Sequence, residues 1–469
     1  MENQRTPDPR ERLIAANRAE YAEDYARLNF PSAAGAAAAL QRREELLAQL
    51  ADRVEVGCGG SKLDCRDLAP GCRACVAGAW SCLFINGRCN CRCFYCPTGQ
   101  EEIGLPTTNT VDFRTPADYV AYLERFGFSG ASISGGEPLL TPQRSLAFVA
   151  AIKRRFGAAM HVWLYTNGTL LTADLAAQLR DAGLDEIRFD IGANGYRLDA
   201  LRLAAGTIPT LTVEIPAIPE ELTRLKAQLP ALRDAGVQHL NLHQLRLTPY
   251  NFPRLVGRGY TFLHGEKVTV LESELAALEV VRHSLDTGAG LPVNYCSFVY
   301  KNRYQAQAAR LRNSGFMAKS WEEPTAAGYL RTLTLHGPAT AIVRQSEAFM
   351  AHGADASWWS MGPERLAFHP RLWPLVDFSG LRLSIAYATA RQLAAVSYRN
   401  PFTAVRLSPT KQVIVERARV GREFDLADDQ IYAFGCRFLA MGQGASGADE
   451  DWAELASFER LPSGLQDYF

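Results

Sequence analysis

The chain has 469 residues, 47% hydrophobic and 21% charged, a balance that suits a soluble globular protein of two or three domains. Lys plus Arg and Asp plus Glu stand at 50 each, so no overall field recruits nucleic acid, although a local basic patch stays open. No apolar run reaches the roughly 18–20 residues that span a bilayer, and the opening residues lack the apolar stretch of a secretory signal, so neither membrane nor export is expected and a cytoplasmic location is.

Residues 8–28 and 34–53 read as two helices broken at Asn29-Phe-Pro31, with Leu40, Leu46, Leu47 and Leu50 as an apolar stripe. They are expected to form a helical extension, residues 1–53, packed on the main domain. Residues 54–82 are rich in Gly and Cys and show little periodicity. Such a segment has no core of its own and needs a metal or cluster to hold it.

From about residue 83 short apolar runs alternate with amphipathic helices. Strands are expected at 83–85, 130–134, 161–165, 186–190, 210–214, 239–243 and 291–295. Helices are expected at 115–126, 142–156, 172–182, 219–235 and 272–286. That alternation implies parallel βαβ units, and six or seven of them suit a barrel. The expected fold class is α/β, a partial (β/α)6-type TIM barrel over 83–325 whose last stretch, 300–325, is helical. Period-two patterns at 330–335, 381–385 and 411–416 then predict a small C-terminal α+β domain, residues 326–469. Its tail, 443–469, reads as Gly- and acid-rich and then weakly helical.

Eleven cysteines are present, and nine lie between Cys58 and Cys96. A disulfide framework would need an oxidising compartment, which the missing signal argues against. Metal or cluster binding is the better reading. Cys89, Cys93 and Cys96 stand at a four-then-three spacing. Iron–sulfur clusters normally take four cysteines, so three in one loop leave an iron open, while tetrahedral zinc is the competing use. Ser134-Gly135-Gly136-Glu137-Pro138 follows directly after a strand candidate, where glycines let the backbone approach a ligand closely.

These two motifs, in this order and one βαβ step apart, resemble the signature of the radical S-adenosylmethionine (radical SAM) enzymes. The resemblance implies a [4Fe–4S] cluster on Cys89, Cys93 and Cys96 whose open iron chelates SAM. It implies contacts to SAM from Gly135, Gly136, Glu137 and Pro138, and from Thr166 and Asn167 in the Tyr165-Thr-Asn-Gly168 turn. Asp190 stands where several members place an acid near the ribose or reaction site. Glu214, in Val213-Glu-Ile-Pro-Ala, and His243, ending Leu240-Asn-Leu-His, are expected at successive strand ends as cofactor contacts; for each such lone polar residue a structural role stands beside the functional one. Over roughly residues 83–335 the likeness extends to an uncharacterised group related to pyruvate formate-lyase activating enzymes.

Cys296 and Lys301 follow the last strand candidate, where a substrate could sit. Cys296 reads either as a buried small apolar residue or as a ligand, hydrogen donor or radical partner. Cys58, Cys65, Cys72, Cys75 and Cys82, spaced x6, x6, x2 and x6, read as ligands of an auxiliary [4Fe–4S] cluster. Cys72, Cys75 and Cys82 would be completed by Cys58 or Cys65, with structural zinc as the alternative. Cys91 reads as a bystander.

By family resemblance, reductive cleavage of SAM gives a 5′-deoxyadenosyl radical that abstracts hydrogen from a small-molecule or peptide substrate. The electron would come from a donor such as flavodoxin or ferredoxin. Two other readings stand beside this one: an activase that installs a glycyl radical in a partner protein, and a non-catalytic metal-binding scaffold. Tyr165 and Gly192 depart from residues that some activases carry.

Overall fold

The structure, a computed structural model, describes residues 9–439 and 452–469; the start of the first expected helix and the Gly- and acid-rich part of the tail lie outside the described residues. By internal contacts the chain divides into two units. The first holds the described residues up to Thr108, Asp112–Gln305 and Ser463–Phe469. The second holds Asn109–Val111 and the described part of Ala306–Pro462.

The first unit is built on seven parallel strands: β1 (Trp80–Asn86), β2 (Gly130–Gly135), β3 (His161–Thr166), β4 (Glu186–Phe189), β5 (Thr210–Pro216), β6 (His239–His243) and β7 (Val293–Cys296). They lie side by side in chain order. The sheet ends on either side in short antiparallel partners, Thr107–Thr108 beside β1 and Lys62–Leu63 beside β7. It is therefore a partial barrel. The connecting helices fall close to their predicted places, at Pro116–Arg125, Pro142–Phe156, Ala173–Asp181, Leu222–Asp234 and Leu271–Asp286. Thr115 and Thr172 cap two of them, each accepting from a backbone N–H three residues on.

One set of alternate strand positions is uniformly apolar. Leu83, Ile133, Leu164, Ile187, Leu211, Val213, Leu240 and Val293 follow one another across the register and are buried. The other set is polar. Trp163 and Tyr165, Glu186 and Arg188, Thr212 and Glu214, Asn241 and Asn294 occupy it. Barrel interiors are usually filled by branched apolar side chains; this one carries ions, so it must satisfy them internally.

It does most of this around Arg188, only 3% exposed, whose Nη2 alone of the guanidinium nitrogens has no hydrogen-bond partner among the described residues. Its Nε donates to Glu186 Oε1 at 2.7 Å and its Nη1 to Glu214 Oε2 at 2.5 Å. The guanidinium also lies over the rings of Trp163 and Tyr165. Glu186 further accepts from Thr212 Oγ1 at 2.8 Å and from the Gly71 backbone N–H at 3.0 Å, and meets His161 Nε2 at 2.8 Å. Burial pushes its carboxyl up, but Arg188 and His161 outweigh that and hold it at about 2. A folded-state value below the unfolded ~4.3 favours the fold when the group is charged. That stability, on the order of 3 kcal/mol, is in place above about pH 4.5 and is lost as pH falls through about 2. Wild type should therefore lose urea resistance steeply between pH 5 and pH 2, and Glu186→Gln should be weaker at pH 7 with a shallower acid limb. Parallel acid limbs in the two proteins would refute the assignment.

The Gly- and Cys-rich segment forms part of the barrel itself. The helix Pro70–Val76 enters at the N-terminal ends of the strands, where Gly71 bonds Glu186, the first residue of β4. A Cβ on Gly71 would stand 2.4 Å from Arg188 Nη2 and 2.9 Å from the Trp163 ring, so only glycine allows this approach. Cys82 falls inside β1, which starts at Trp80. The N-terminal helices, Pro9–Tyr21 and Ala33–Leu50, pack on the same unit, with Arg43 Nη1 paired to buried Glu274 at 3.2 Å. The C-terminal Ser463–Phe469 joins them, since Arg43 also donates to the Gln466 carbonyl at 2.6 Å and Tyr468 OH to Glu274 at 2.8 Å.

The second unit has an antiparallel sheet in which Leu330–His336 and Gln412–Leu426 flank Arg382–Leu393, as the period-two runs predicted. Helices Ala339–Ala351 and Asp428–Phe438 contribute to its apolar core with Leu333, Ile342, Phe368, Leu383 and Phe434. The helix expected over 300–325 breaks differently. A π-helical turn at Lys301–Gln305 precedes the helix Ala306–Ser314, which ends before Gly315. Glycine costs a helix about 1 kcal/mol and favours its end.

Candidate active site

At the C-terminal end of β1 the chain runs into the cysteine loop, and at the C-terminal end of β2 it meets Gly135-Gly136-Glu137-Pro138. The two are sewn together. Gly136 N–H donates to Asn86 O at 2.9 Å and Glu137 N–H to Arg88 O at 2.7 Å. A Cβ on Gly135 would lie 2.1 Å from Asn86 O, and one on Gly136 would lie 2.0 Å from Arg88 O. Gly135 also has φ +126°, so both glycines are required for the turn to hold the entrance to Cys89.

Glu137 ties this turn to the next. It is 1% exposed, and its carboxylate accepts from Leu139 N–H at 2.9 Å, Thr166 Oγ1 at 2.8 Å and Asn167 N–H at 2.8 Å. Burial pushes its carboxyl up against those donors. Asn167 in turn donates to Asn90 Oδ1 at 2.8 Å and lies 3.8 Å from Cys89 Sγ. The Thr166-Asn167 turn after β3 thus braces the cysteine loop directly.

The far side of the loop is held by residues with no motif to mark them. Arg254 Nη1 donates to the Cys93 carbonyl at 3.1 Å, Asn251 Nδ2 to the Tyr95 carbonyl at 3.2 Å, and Thr248 Oγ1 to the Pro97 carbonyl at 2.9 Å. Tyr95 OH reaches both oxygens of Asp190 at 2.9 Å. Burial pushes the Asp190 carboxyl up to about 6 despite that bond.

Cys89, Cys93 and Cys96 line a cavity of about 620 Å³ together with Gly135, Gly136, Glu137, Thr166, Asn167, Asp190, Glu214, His243 and Lys301. The structure therefore brings most of the sequence-predicted residues to one place. Pro138 is buried at the start of a short 3-10 turn. Burial pushes the Cys93 thiol up to about 12 and the Cys89 and Cys96 thiols up as well, and ligation by a metal is what deprotonates such thiols. Among the described residues no three His, Cys, Asp or Glu groups converge as on a single metal ion. A four-iron cluster does not ask for that, because each cysteine takes its own iron. Three thiols in one braced loop beside an open cavity fit such a group.

A second, smaller cavity of about 220 Å³ lies in the barrel interior and shares Cys82, Tyr165, Glu214, His243 and Lys301 with the larger one. Cys72, Cys75 and Cys296 line it, as do Lys62 and Arg188; Cys296 is absent from the lining of the larger cavity. Burial pushes against a charged Glu214, but Arg188, Lys301 and His243 hold its carboxyl below the usual range. Burial and Lys301 push the His243 imidazole down to about 3, so it is neutral near pH 7. Lys62, Arg188, Asn241 and Arg254 went unmarked in the sequence; for the first three the available signal was charge or amide on a strand, whereas Arg254 sits on the short helix Phe252–Val256 with no local signal.

Parallel barrel, three-cysteine loop and Gly-Gly-Glu-Pro turn together define a radical SAM enzyme. Residues 83–202 match the radical SAM superfamily, and the chain is an enzyme of that class, with a [4Fe–4S] cluster and SAM as its cofactors. It is 29% identical over 275 residues to a putative glycyl-radical enzyme activating enzyme of Methanocaldococcus jannaschii, covering 56% of this chain and 72% of that one. It is 37% identical over 123 residues to a GTP 3′,8-cyclase of Lactiplantibacillus plantarum, where the match spans 25% of this chain and 34% of the cyclase. Among solved structures, SuiB of Streptococcus suis is similar with a TM-score of 0.35 at 10% identity, covering 50% of this chain and 56% of that one. No helix among the described residues is long and apolar enough to cross a membrane.

Proposed function

We propose that the larger cavity holds SAM beside a small-molecule or peptide substrate, and that the enzyme makes a tailoring change by hydrogen abstraction. When bound, the reduced cluster and SAM supply a 5′-deoxyadenosyl radical. The observation that carries the substrate reading is the cavity itself. Its volume of about 620 Å³ falls within the ~300–1,000 Å³ of small-ligand pockets, and it runs from the cysteine loop to the polar wall of Glu214, His243 and Lys301.

In that wall Lys301 and Arg246 supply the positive charge and Glu214 the negative. The neutral His243 offers one donor and one acceptor. The Gly135-Gly136 backbone approaches the cofactor, while Asp190 and Glu137 hold the loops that frame it. Lys301 begins the π-helical turn, a geometry frequent at functional sites. Its ammonium is assigned to an anionic or carbonyl group of the substrate. Lys301→Met should lower kcat/KM for that substrate by about 10- to 100-fold, the cost of losing one charge-assisted hydrogen bond, and by more than it lowers SAM cleavage. Equal loss of both would remove Lys301 from substrate binding.

A second reading, activation of a partner protein, is favoured by the name of the Methanocaldococcus jannaschii relative. The two are separated with anaerobically reconstituted enzyme, reductant and SAM. Deuterium transfer from a labelled small molecule or peptide into 5′-deoxyadenosine supports the first. A glycyl-radical EPR doublet that appears only on an added partner protein, without such transfer, overturns it. In either case the electron donor is expected to be a flavodoxin- or ferredoxin-like protein.

A further inference from the structure

The smaller cavity is lined by thiols from three separate stretches of chain, Cys72 and Cys75, Cys82, and Cys296. Cys72 and Cys75 sit three residues apart on the Pro70–Val76 helix, the spacing that puts two side chains on one face. Cys296 ends β7 and lies directly opposite Lys62 in the antiparallel pairing of β7 with Lys62–Leu63. Cys58 and Cys65 lie in the chain on either side of the Lys62–Leu63 strand, next to the cavity lining and not part of it.

Hydrogen-bond donors already converge on the sulfurs. Asn241 Nδ2 lies 3.1 Å and Arg188 Nη1 3.5 Å from Cys72 Sγ. Gln305 Nε2 and Tyr300 OH each lie 3.1 Å from Cys75 Sγ. A neutral thiol is a weak acceptor, whereas a metal-bound thiolate uses such partners fully. Asn241 Oδ1, on a residue 3% exposed that lines this cavity, has no hydrogen-bond partner among the described residues.

Lys62 supplies the second observation. It is 2% exposed, and its Nζ donates to Asn294 Oδ1 at 2.5 Å over the face of the Tyr300 ring. No carboxylate pairs with it among the described residues, and Cys72, Cys75 and Cys296 line the same cavity. A buried ammonium needs a counter-charge; Glu214 in the same cavity is already paired with Arg188, which leaves the sulfurs that line it. The space, about 220 Å³, is roughly seven times the ~30 Å³ share of one water, which exceeds a bare ion. The donors do not converge as on a single ion.

We propose that this cavity holds a second iron–sulfur cluster, bound by Cys72, Cys75 and Cys296 with Cys58 or Cys65 as the fourth ligand, and that Lys62 is its buried counter-ion. Cys82 also lines this cavity; it stays outside the set because it lines the larger cavity as well, in the wall between the two. Cys296 thereby serves as a metal ligand, apart from hydrogen transfer to substrate.

The test uses the full chain with Cys89, Cys93 and Cys96 all changed to alanine, reconstituted anaerobically with iron and sulfide. It should retain about four irons per chain and a reducible cluster signal by EPR. Adding Cys72→Ala or Cys296→Ala should lower iron at least fourfold, whereas adding Cys436→Ala, in the second unit, should leave it unchanged. In the triple-alanine background, Lys62→Met should move the midpoint potential to more negative values, since loss of a nearby positive charge disfavours the reduced form. An iron-free triple variant, or one zinc per chain in its place, overturns the cluster. Full iron with Cys296→Ala, at an unaltered thermal midpoint, overturns that ligand. An unchanged potential in Lys62→Met overturns the counter-ion. If wild type fails to cleave SAM while the triple variant keeps its iron, the functional reading falls and this one stands.

Discussion

Cys93→Ala should abolish reductive SAM cleavage, taking 5′-deoxyadenosine down to the level of an enzyme-free control. The loop itself should survive the change, because the contacts that hold it at this residue use the backbone. The Cys93 carbonyl accepts from Arg254 at 3.1 Å and from the Cys96 N–H at 3.2 Å, and alanine keeps both. Loss of activity would therefore report loss of a thiolate ligand. Cys91→Ala is the natural control: Cys91 borders the same cavity but lies outside the four-then-three spacing, and it should keep its activity. Continued deoxyadenosine formation by Cys93→Ala would sink the assignment of the cluster to this loop.

Glu137→Ala should be the most damaging single change to the architecture of the site. It removes one buried acceptor and leaves three donors, Leu139 N–H, Thr166 Oγ1 and Asn167 N–H, without a partner. Breaking a buried, charge-assisted network costs on the order of 3–5 kcal/mol. That corresponds to a fall of roughly 10 °C in the midpoint of the first unit. SAM affinity should fall with it, since the Thr166-Asn167 turn that braces Cys89 would come loose. Glu137→Gln keeps one acceptor oxygen and should recover part of both quantities. Thermal unfolding and equilibrium dialysis with SAM measure them. A midpoint and a SAM affinity unchanged in Glu137→Ala would show that the carboxylate does not join the two turns.

Glu137 also shows how a motif can be legible in place while its bonding partners are not. Its position in the turn follows from the residues around it, and the resemblance implies that it contacts SAM. In the structure the carboxylate is engaged by three groups of the protein, while Gly135, Gly136 and Glu137 all line the cavity. Lys301 and Cys296 make the same point. Five residues apart in the chain, they could be expected to share one substrate site. The register of β7 against Lys62 sets Cys296 in the smaller cavity alone, while Lys301 stands in the wall between the two.

The sequence by itself determined the parallel barrel strands, their helices and the three-cysteine loop. Those signals are local: period-two and helical patterns, a glycine pair, a spacing. The antiparallel strands of the second unit were legible for the same reason. Only the tertiary structure decided that the Cys-rich segment plugs the barrel, that Arg188 and Glu186 lie inside it, and that Cys72, Cys75 and Cys296 line one cavity with Lys62. Each of those depends on a contact between residues far apart in the chain, such as Gly71 with Glu186 or Lys62 with Asn294. Burying charge inside a barrel is unfavourable until such partners arrive together, so no single stretch of sequence carries the information that they do.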